Sequence, residues 1–492
     1  MLNWLEQRTG FVSATKDFLT EDVPGGASYW YVFGSATLFA MILQITTGIF
    51  LTFWYAPSAA TAWESTRAIY LDPFEHFVLS MHYWGATAMI ALVGLHLLQV
   101  AIFGAYKRPR ELQWVVGVLL LLLTLVLGLT GYLLPWDMDA YFASQVSLNI
   151  TGTAPIAGPF IQNVAQGGSV MGTETINRFF GLHVWLVPAL LILLVGAHLF
   201  IFRHNGPAGP ANDDPRKLKA GRFWPDQMFM DTVVSFFVFL LIIALSFVAP
   251  PFLDQKADPT IVFQPYPAWY FLALFGMLHL FPPQLDTVAT IYIPTFFLLV
   301  VLLLPWIDRS PTRTLNARRG VLASIFVVVA VLIGLSIQSQ AQIVGLEAQN
   351  PHLTEAQVLA SKPAAVTAPA SPGTVAVAAS SGSASASAHG ATVFGQNCSS
   401  CHGAQGQGTP GAFPPLAGNP FVTGNPASVI DVVKNGKTGP INVNGQSYNG
   451  TMPAWKSQLD SADIAAVITY IRSSLGSNRA PAVTPAQVSA AK

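Results

Sequence analysis

The chain has 492 residues, 52% of them hydrophobic and only 10% charged, and its 24 basic and 24 acidic side chains leave a formal net charge of zero. Soluble domains carry roughly 25% charged residues, so this composition excludes an ordinary soluble protein, and without a basic surplus there is no call for a nucleic-acid partner. An integral membrane protein with a soluble appendage remains.

Residues 1–28 mix polar and apolar side chains without the apolar run of a signal peptide, which predicts an amphipathic segment on the cytoplasmic membrane surface. Seven apolar stretches follow, near 31–54, 79–103, 114–134, 180–202, 231–250, 287–305 and 319–338. Each approaches the roughly 20 residues that a hydrocarbon core requires. Lys107, Arg108, Arg110, Arg203, Arg216, Lys217, Lys219, Arg222, Arg309, Arg313, Arg318 and Arg319 crowd alternate loops, while the opposite loops offer Arg67, Arg178 and Lys256. The positive-inside rule therefore places the N-terminus in the cytoplasm, and seven spans place the C-terminus outside, as in a bacterial cytoplasmic membrane with a periplasmic C-terminal domain. From 346 to 390 the composition turns to Ala, Ser, Pro, Val and Gly, a linker whose ends would stand roughly 35–40 Å apart. Residues 391–478 predict a small helical unit ending in Ala462–Ser473, and 479–492 a disordered tail. The fold class expected is all-α.

The only two cysteines form Cys398-Ser-Ser-Cys401-His402. That spacing attaches haem c: the two thiols add to the porphyrin vinyls and the adjacent histidine ligates iron. A second cysteine pair, which tetrahedral zinc would need, does not exist. Four of the ten histidines lie inside two spans, His82 and His96 in one, His183 and His198 in the other. Their spacings of 14 and 15 residues keep each pair on one helix face, roughly 21 Å apart along the axis. One span intervenes, so the two helices run parallel, and His82 pairs with His183 while His96 pairs with His198. Two bis-histidine haems would stack across the bilayer. Gly34 and Gly48, and Gly117 and Gly131, repeat the 14-residue spacing on the neighbouring spans; small residues would let a flat macrocycle approach the backbone.

Residues 29–340 resemble cytochrome b of the quinol-oxidising bc complexes. The resemblance is carried by Gly131-Tyr-Leu-Leu-Pro-Trp136, Lys107-Arg-Pro-Arg-Glu111 and Arg178-Phe-Phe-Gly-Leu-His183. The 15-residue histidine spacing and the seven spans are similar to the cytochrome b6 and subunit IV branch joined in one chain, which implies a b6-like haem domain at 29–210 and a subunit IV-like quinone-site domain at 211–345. The resemblance implies two haem b groups, and a role for Arg178 as propionate partner. It implies a p-side quinol pocket at Tyr132, Pro267, Trp269 and Tyr270, and an n-side quinone site at Arg203 and Asp226. Arg203 as an anchoring charge and Asp226 as a helix cap are equally open readings. The C-terminal unit resembles class I cytochromes c, with His402 proximal and Met452, in Gly450-Thr-Met-Pro, distal; another methionine or an open position would also fit.

Several positions depart from the family. Its Pro-Glu-Trp-Tyr motif is here Pro267-Ala268-Trp269-Tyr270, so the quinol proton would leave by another route, such as water, Tyr132 or Asp254. Arginines near the porphyrins are replaced by Leu79 and Gln99, and a haem-tethering cysteine by Val32. The function implied is that of a fused cytochrome b and c subunit of a quinol:cytochrome c, or other acceptor, oxidoreductase running a Q-cycle with proton translocation. No cysteine remains for an iron–sulfur cluster, which implies a separate Rieske protein, a soluble or membrane electron acceptor, and a homodimer within a larger complex. A linear quinol dehydrogenase or quinone reductase and a non-catalytic haem scaffold are the alternatives.

Overall fold

The computed structural model describes residues 1–347 except 169–170, 212–219, 260–262 and 264, and residues 389–491 except 392, 395–396, 399–401, 404–405, 409–412, 438, 440, 444, 449–451, 453, 457–458 and 477. Cys401 and residues 348–388 of the expected linker lie outside the described residues. The chain divides into two compact units, residues 1–257 with 264–363, and residues 258–263 with 364–492.

The first unit is helical throughout apart from one two-stranded ribbon. Its helices are α1 Leu2–Thr9, α2 Phe11–Leu19, α3 Val32–Leu51, α4 Ala62–Leu71, α5 Pro73–Ile102, α6 Glu111–Tyr132, α7 Met138–Gly152, α8 Gly158–Gln166, α9 Thr173–Gly181, α10 Val187–Asn205, α11 Met228–Val248, α12 Leu272–Leu278, α13 Ile293–Leu302, α14 Leu304–Ile307 and α15 Arg319–Glu347. A π-helical turn, Leu182–Leu186, joins α9 to α10. The amphipathic N-terminal segment is two helices broken at Gly10, whose φ of 64° is left-handed, and neither helix has a buried residue. Strand β1, Asp22–Pro24, pairs antiparallel with β2, Ala220–Arg222, and so fastens this segment to the loop before α11.

Among the described residues, six helical stretches are long and apolar enough to cross a membrane: Tyr29–Leu51, Pro73–Ile102, Glu111–Tyr132, Thr173–Asn205, Phe223–Val248 and Asn316–Val344. The sixth expected span, 287–305, is shorter. Its apolar helix covers Val288–Leu302, and the backbone leaves helical geometry at Leu303 before α14. Fifteen residues rise only about 22 Å, less than the hydrocarbon core of about 30 Å. Pro305, at the start of α14, has no N–H with which to continue the ladder.

α3 packs along α5, α6 along α10, and α11 against both α3 and α5. Ala36 and Ala40 are fully buried there among Met41, Met89, Leu92 and Leu191, and such small residues let membrane helices approach closely. Phe200, Phe296 and Phe326 are 70–75% exposed, as suits side chains facing lipid.

Hydrogen bonds fasten the first four spans to the later ones at both ends of the bundle. At one end the indole N–H groups of Trp63 and Trp84 donate to the carbonyls of Asp254 and Ala249, and Met138 N–H donates to Gln255. At the other, Arg318, only 1% exposed, donates to the Asp308 carboxylate, the Tyr106 hydroxyl and the carbonyls of Ala101 and Ile102. Tyr106 donates to Asp308 at 2.6 Å, and Lys107 lies 3.2 Å from the same carboxylate. Burial alone would push the Asp308 carboxyl up, but donors from Ser310, Tyr106 and Arg318 hold it below the usual carboxylate range. With a depressed folded-state pKa, this clasp is intact at neutral pH and weakens only in acid.

The second unit packs Val393, Phe394, Val422, Val429, Ile430, Val433, Trp455 and the inner face of Ser461–Ser473 into one core. It contains α16 Pro420–Thr423, α17 Pro426–Asn435, the ribbon β3 Ile441–Val443 with β4 Gln446–Tyr448, α18 Ser461–Ser473 and α19 Pro485–Ala490. The expected disordered tail is therefore structured. Val483 and Val488 are buried, Val483 exchanges hydrogen bonds with the Thr469 hydroxyl, and Thr484 with Gln487 forms a capping box for α19. Lys434 donates to the carbonyls of Val488 and Ala491.

Arg318→Met leaves the Asp308 carboxylate short of its buried partner and is expected to destabilise the detergent-solubilised chain by about 3–5 kcal/mol, whereas Arg319→Met on the exposed neighbour should cost less than about 0.5 kcal/mol. Thermal unfolding of the two variants checks this.

Candidate functional site

An imidazole that gives one ring nitrogen to a metal inside hydrocarbon is favoured when the other finds an acceptor; His82 and His183 have one, whereas Nδ1 of His96 is buried without a hydrogen-bond partner among the described residues. The Thr47 hydroxyl donates to Leu43 at 2.8 Å, so its oxygen is free to accept from Nδ1 of His82 at 2.9 Å. Nδ1 of His183 donates to the Leu127 carbonyl at 3.1 Å and lies 3.2 Å from the Thr130 hydroxyl, which itself donates to Val126. In both rings Nε2 is left as the unprotonated ligand atom. The Gln44 amide donates to the His82 carbonyl and ties α3 to the ligand's own backbone.

The His82 and His183 rings stand 6.1 Å apart, centroid to centroid. Two imidazoles bound on opposite faces of one iron, with metal–nitrogen bonds of about 2 Å, require roughly 6 Å. The residues fit a bis-histidine haem. His96 and His198 likewise lie within electrostatic range of each other at the other depth.

The four spaced glycines do something more specific than admitting a macrocycle. A Cβ on Gly48 would meet Cε1 of His82 at 3.2 Å, on Gly34 that of His96 at 3.2 Å, on Gly117 that of His198 at 3.4 Å and on Gly131 that of His183 at 2.6 Å. Each glycine backs one imidazole and sets where that ring can sit. Thr47-Gly48 and Thr130-Gly131 are the same dipeptide on two spans, one residue accepting from or lying beside Nδ1 and the next making room for the ring. That repeat was readable in the sequence, though sequence reasoning missed the threonines.

Arg178, expected beside a propionate, instead donates to the carbonyls of Asn163 and Val164 at the end of α8. There it closes the α8–α9 turn.

At the end of the bundle nearer His82 and His183, the Tyr132 hydroxyl donates to the Tyr266 carbonyl at 3.2 Å, joining α6 to the segment that leads into Pro267. Trp269–Phe271 forms a 3-10 turn started by Ala268, with Trp269 45% exposed. The Tyr270 hydroxyl lies against Gly128, where a Cβ would meet it at 2.9 Å. Tyr132 thus shares one place with Tyr270. Three carboxyl groups border the same region: Asp137, Asp139 and Asp254.

At the opposite end a cleft of about 680 Å³ is lined by Gly25, Gly26, Ala27, Ala220, Gly221, Pro225, Asp226, Phe229 and Met230. Its size suits a ring-bearing ligand. Asp226 lies in the π-helical turn Phe223–Gln227 that precedes α11. Arg203 is absent from this lining. It pairs with Glu21, and its guanidinium stacks over the Phe18 ring at 5.2 Å, holding the N-terminal segment to the end of α10. Burial raises the Glu21 carboxyl despite this partner.

In the second unit His402 is 8% exposed, and its Nδ1 donates to the Pro414 carbonyl at 2.8 Å, leaving Nε2 for a metal. Burial lowers the proton affinity of this imidazole and keeps it neutral, as a ligand must be. Cys398, at the head of the attachment motif, packs against the core, as does Met452. Met452 is pinned through both backbone groups to Lys437, at 2.8 and 2.9 Å.

These sites define a membrane electron carrier with two buried bis-histidine centres and an appended haem c unit. The description "Cytochrome b(N-terminal)/b6/petB" matches residues 87–256, "Cytochrome b(C-terminal)/b6/petD" matches 256–349 and "Cytochrome c" matches 387–474. The menaquinol:cytochrome c reductase cytochrome b subunit of Geobacillus thermodenitrificans is 39% identical over 219 residues, 43% of this chain and 98% of that protein. The cytochrome bc complex cytochrome b subunit of Chlorobaculum thiosulfatiphilum is 35% identical over 63% of this chain and 74% of its own length. A solved hyperthermophilic respiratory Complex III chain superposes with a TM-score of 0.62 at 27% identity, covering 69% of this chain and 91% of the other. The chain belongs to the cytochrome b family of the bc-type complexes. It is a fused cytochrome b and cytochrome c subunit of a membrane oxidoreductase of that kind, with two b haems and one covalent haem c.

The glycine geometry yields a graded expectation. Gly131→Ala should displace the His183 ring and remove one b haem from the reduced-minus-oxidised spectrum, while Gly117→Ala, with its Cβ at an ordinary 3.4 Å, should retain both. Thr47→Val should weaken retention of the haem held by His82 by roughly 10–100-fold. Pyridine haemochrome titration of the purified variants checks both.

Proposed function

We propose that the chain oxidises a quinol at the Tyr132, Pro267, Trp269 and Tyr270 end and reduces a quinone at the Asp226 end, in a Q-cycle that moves charge across a bacterial cytoplasmic membrane. The observation that carries this reading is the placing of two imidazole pairs at two depths of one bundle, with a ligand-sized cleft at the Asp226 end. Bound there, the haems supply one-electron exchange, and this chain's residues orient their ligands and handle the substrate.

With α13–α14 counted as a broken sixth crossing of seven, basic loops lie on the cytoplasmic side, together with the N-terminus, the Asp226 cleft and Arg203. The haem c unit then lies on the p-side, where His402 and Met452 would hold the iron and Cys398 and Cys401 would attach the porphyrin. Thioether ligation raises the potential of that group and suits a late electron acceptor. The second electron from quinol leaves to a Rieske iron–sulfur protein on a separate chain, within a homodimeric complex, and the substrate class proposed is the menaquinol named for the Geobacillus relative.

Quinol added with an oxidant for the iron–sulfur partner should reduce both b haems, and an inhibitor of the p-side pocket should abolish this. If the b haems are reduced only in step with haem c, the chain is a linear quinol dehydrogenase; if quinol reduces none of them, it is a haem scaffold.

A further inference from the structure

Quinol oxidation releases two protons with two electrons, so the site needs a base for at least one of them. Ala268 supplies none, and the phenols of Tyr83, Tyr132 and Tyr270 are neutral at physiological pH. The ligand imidazoles are committed to metal. Carboxylates are the remaining chemistry, and the sequence places none of them inside the Pro267–Tyr270 segment.

Immediately after α6, Trp136 adopts a left-handed φ of 55° and turns the chain so that Asp137 enters the interior. Asp137 is 7% exposed and directly follows Trp136 of the buried cluster that also holds Trp63, Tyr70, Leu133, Tyr141 and Leu253. One carboxylate oxygen accepts from Ala140 N–H at 2.9 Å and caps α7; the other accepts from Asp254 N–H at 3.3 Å. Both partners are backbone amides. Lys256, which pairs with Asp137 through the backbone, directs its ammonium to Glu64 instead. The titratable groups facing Asp137 are Asp139 on its own helix and Asp254 on the facing loop. Asp137 and Asp139 are in electrostatic range of Tyr132, which is also in range of Tyr83 and Tyr270. Tyr132 ends α6 five residues before Asp137 and donates its hydroxyl to the Tyr266 carbonyl, so the quinol end and the carboxyl group flank the same turn.

We infer that Asp137 is the proton acceptor for quinol oxidation in this chain, taking over through Tyr132 the part that a carboxylate at position 268 would play. This rests on the quinol-oxidase reading above. One quinol O–H bond breaks and an O–H bond forms on the Asp137 carboxylate; one electron would pass to the high-potential iron–sulfur acceptor and one to the b haem that His82 and His183 would hold, and the second proton leaves by water. The acceptor then releases its proton at the p-side surface. Burial, followed by the opposing pull of Ala140 N–H and the push of the Asp139 and Asp254 charges, brings the carboxyl up to about 7, where it exchanges protons readily at neutral pH.

Asp137→Asn tests this in the full complex, because asparagine caps a helix as well as aspartate and keeps the fold. Haem content and midpoint potentials should stay at wild-type values while quinol oxidation falls roughly 10²-fold. The acid limb near pH 7 should vanish from the rate profile, together with a protonated-carboxyl band in redox-difference infrared spectra. Ala268→Glu added to Asp137→Asn should restore at least a tenth of the rate. Wild-type rate, pH profile and infrared band in Asp137→Asn would overturn the inference. Should Asp137→Asn lose haem, Ala268→Glu alone decides: a second carboxylate should move the acid limb to lower pH, and an unmoved limb overturns the inference. A wild-type complex whose b haems never respond to quinol removes the quinol-oxidase reading, and this inference with it.

Discussion

Everything in the membrane unit follows from the need to aim four imidazoles inside hydrocarbon. An imidazole there has one nitrogen to give to a metal and one N–H that is best satisfied by protein. The His82 and His183 rings meet the second demand through Thr47 on α3 and Leu127 on α6. The helices that carry the ligands therefore need these two partners beside them. The glycines that back the rings allow the close approach, so ligand direction, helix contact and glycine position form one constraint.

That constraint also explains which parts were legible in sequence. Histidine spacing is set by helix rise and by bilayer thickness, and both are universal, so His82, His96, His183 and His198 could be paired from numbers alone. The Cys398–His402 motif is set by porphyrin geometry and is likewise independent of fold. The Arg178 contact was not legible, because a guanidinium near a haem and one closing a turn look identical in sequence. Only the positions of the Asn163 and Val164 carbonyls distinguish them. The ordered C-terminus was hidden for a different reason: Val483 and Val488 are two apolar residues in a weakly patterned stretch, and their partners Thr469 and Lys434 lie on earlier helices.

The shortened sixth stretch shows how composition and conformation part company. Residues 287–305 have the apolarity of a span, but the helix breaks at Leu303, next to Pro305. Just beyond the break lies Asp308, the acceptor for Arg318, Tyr106 and Lys107. An unbroken helix would carry that carboxylate along its axis and away from the end of α5. The clasp between the early and late spans thus requires the break, since the carboxylate must turn back to meet cations at the bundle end. A buried ion group of this kind is poor at adding stability over an apolar isostere but strongly penalises mispairing, so it acts chiefly to hold register between the two parts of the bundle.

The same logic separates the two ends of the molecule chemically. At the Arg318 end, donors outnumber the Asp308 carboxylate and hold it ionised across the physiological range, so it cannot trade protons there. At the Asp137 end, the carboxylate is buried with two backbone amides and two neighbouring acids, and its charge is only marginally favoured. One buried aspartate is fixed and the other is poised, although both sit at junctions between the early and late spans. The difference lies in what surrounds them: guanidinium, ammonium and phenol in one case, neutral amides in the other. A junction that merely joins helices favours the first arrangement; a junction beside a substrate that must shed protons is served by the second. On the proposal that Asp137 accepts the quinol proton, the basicity absent at position 268 is supplied by the turn that follows α6.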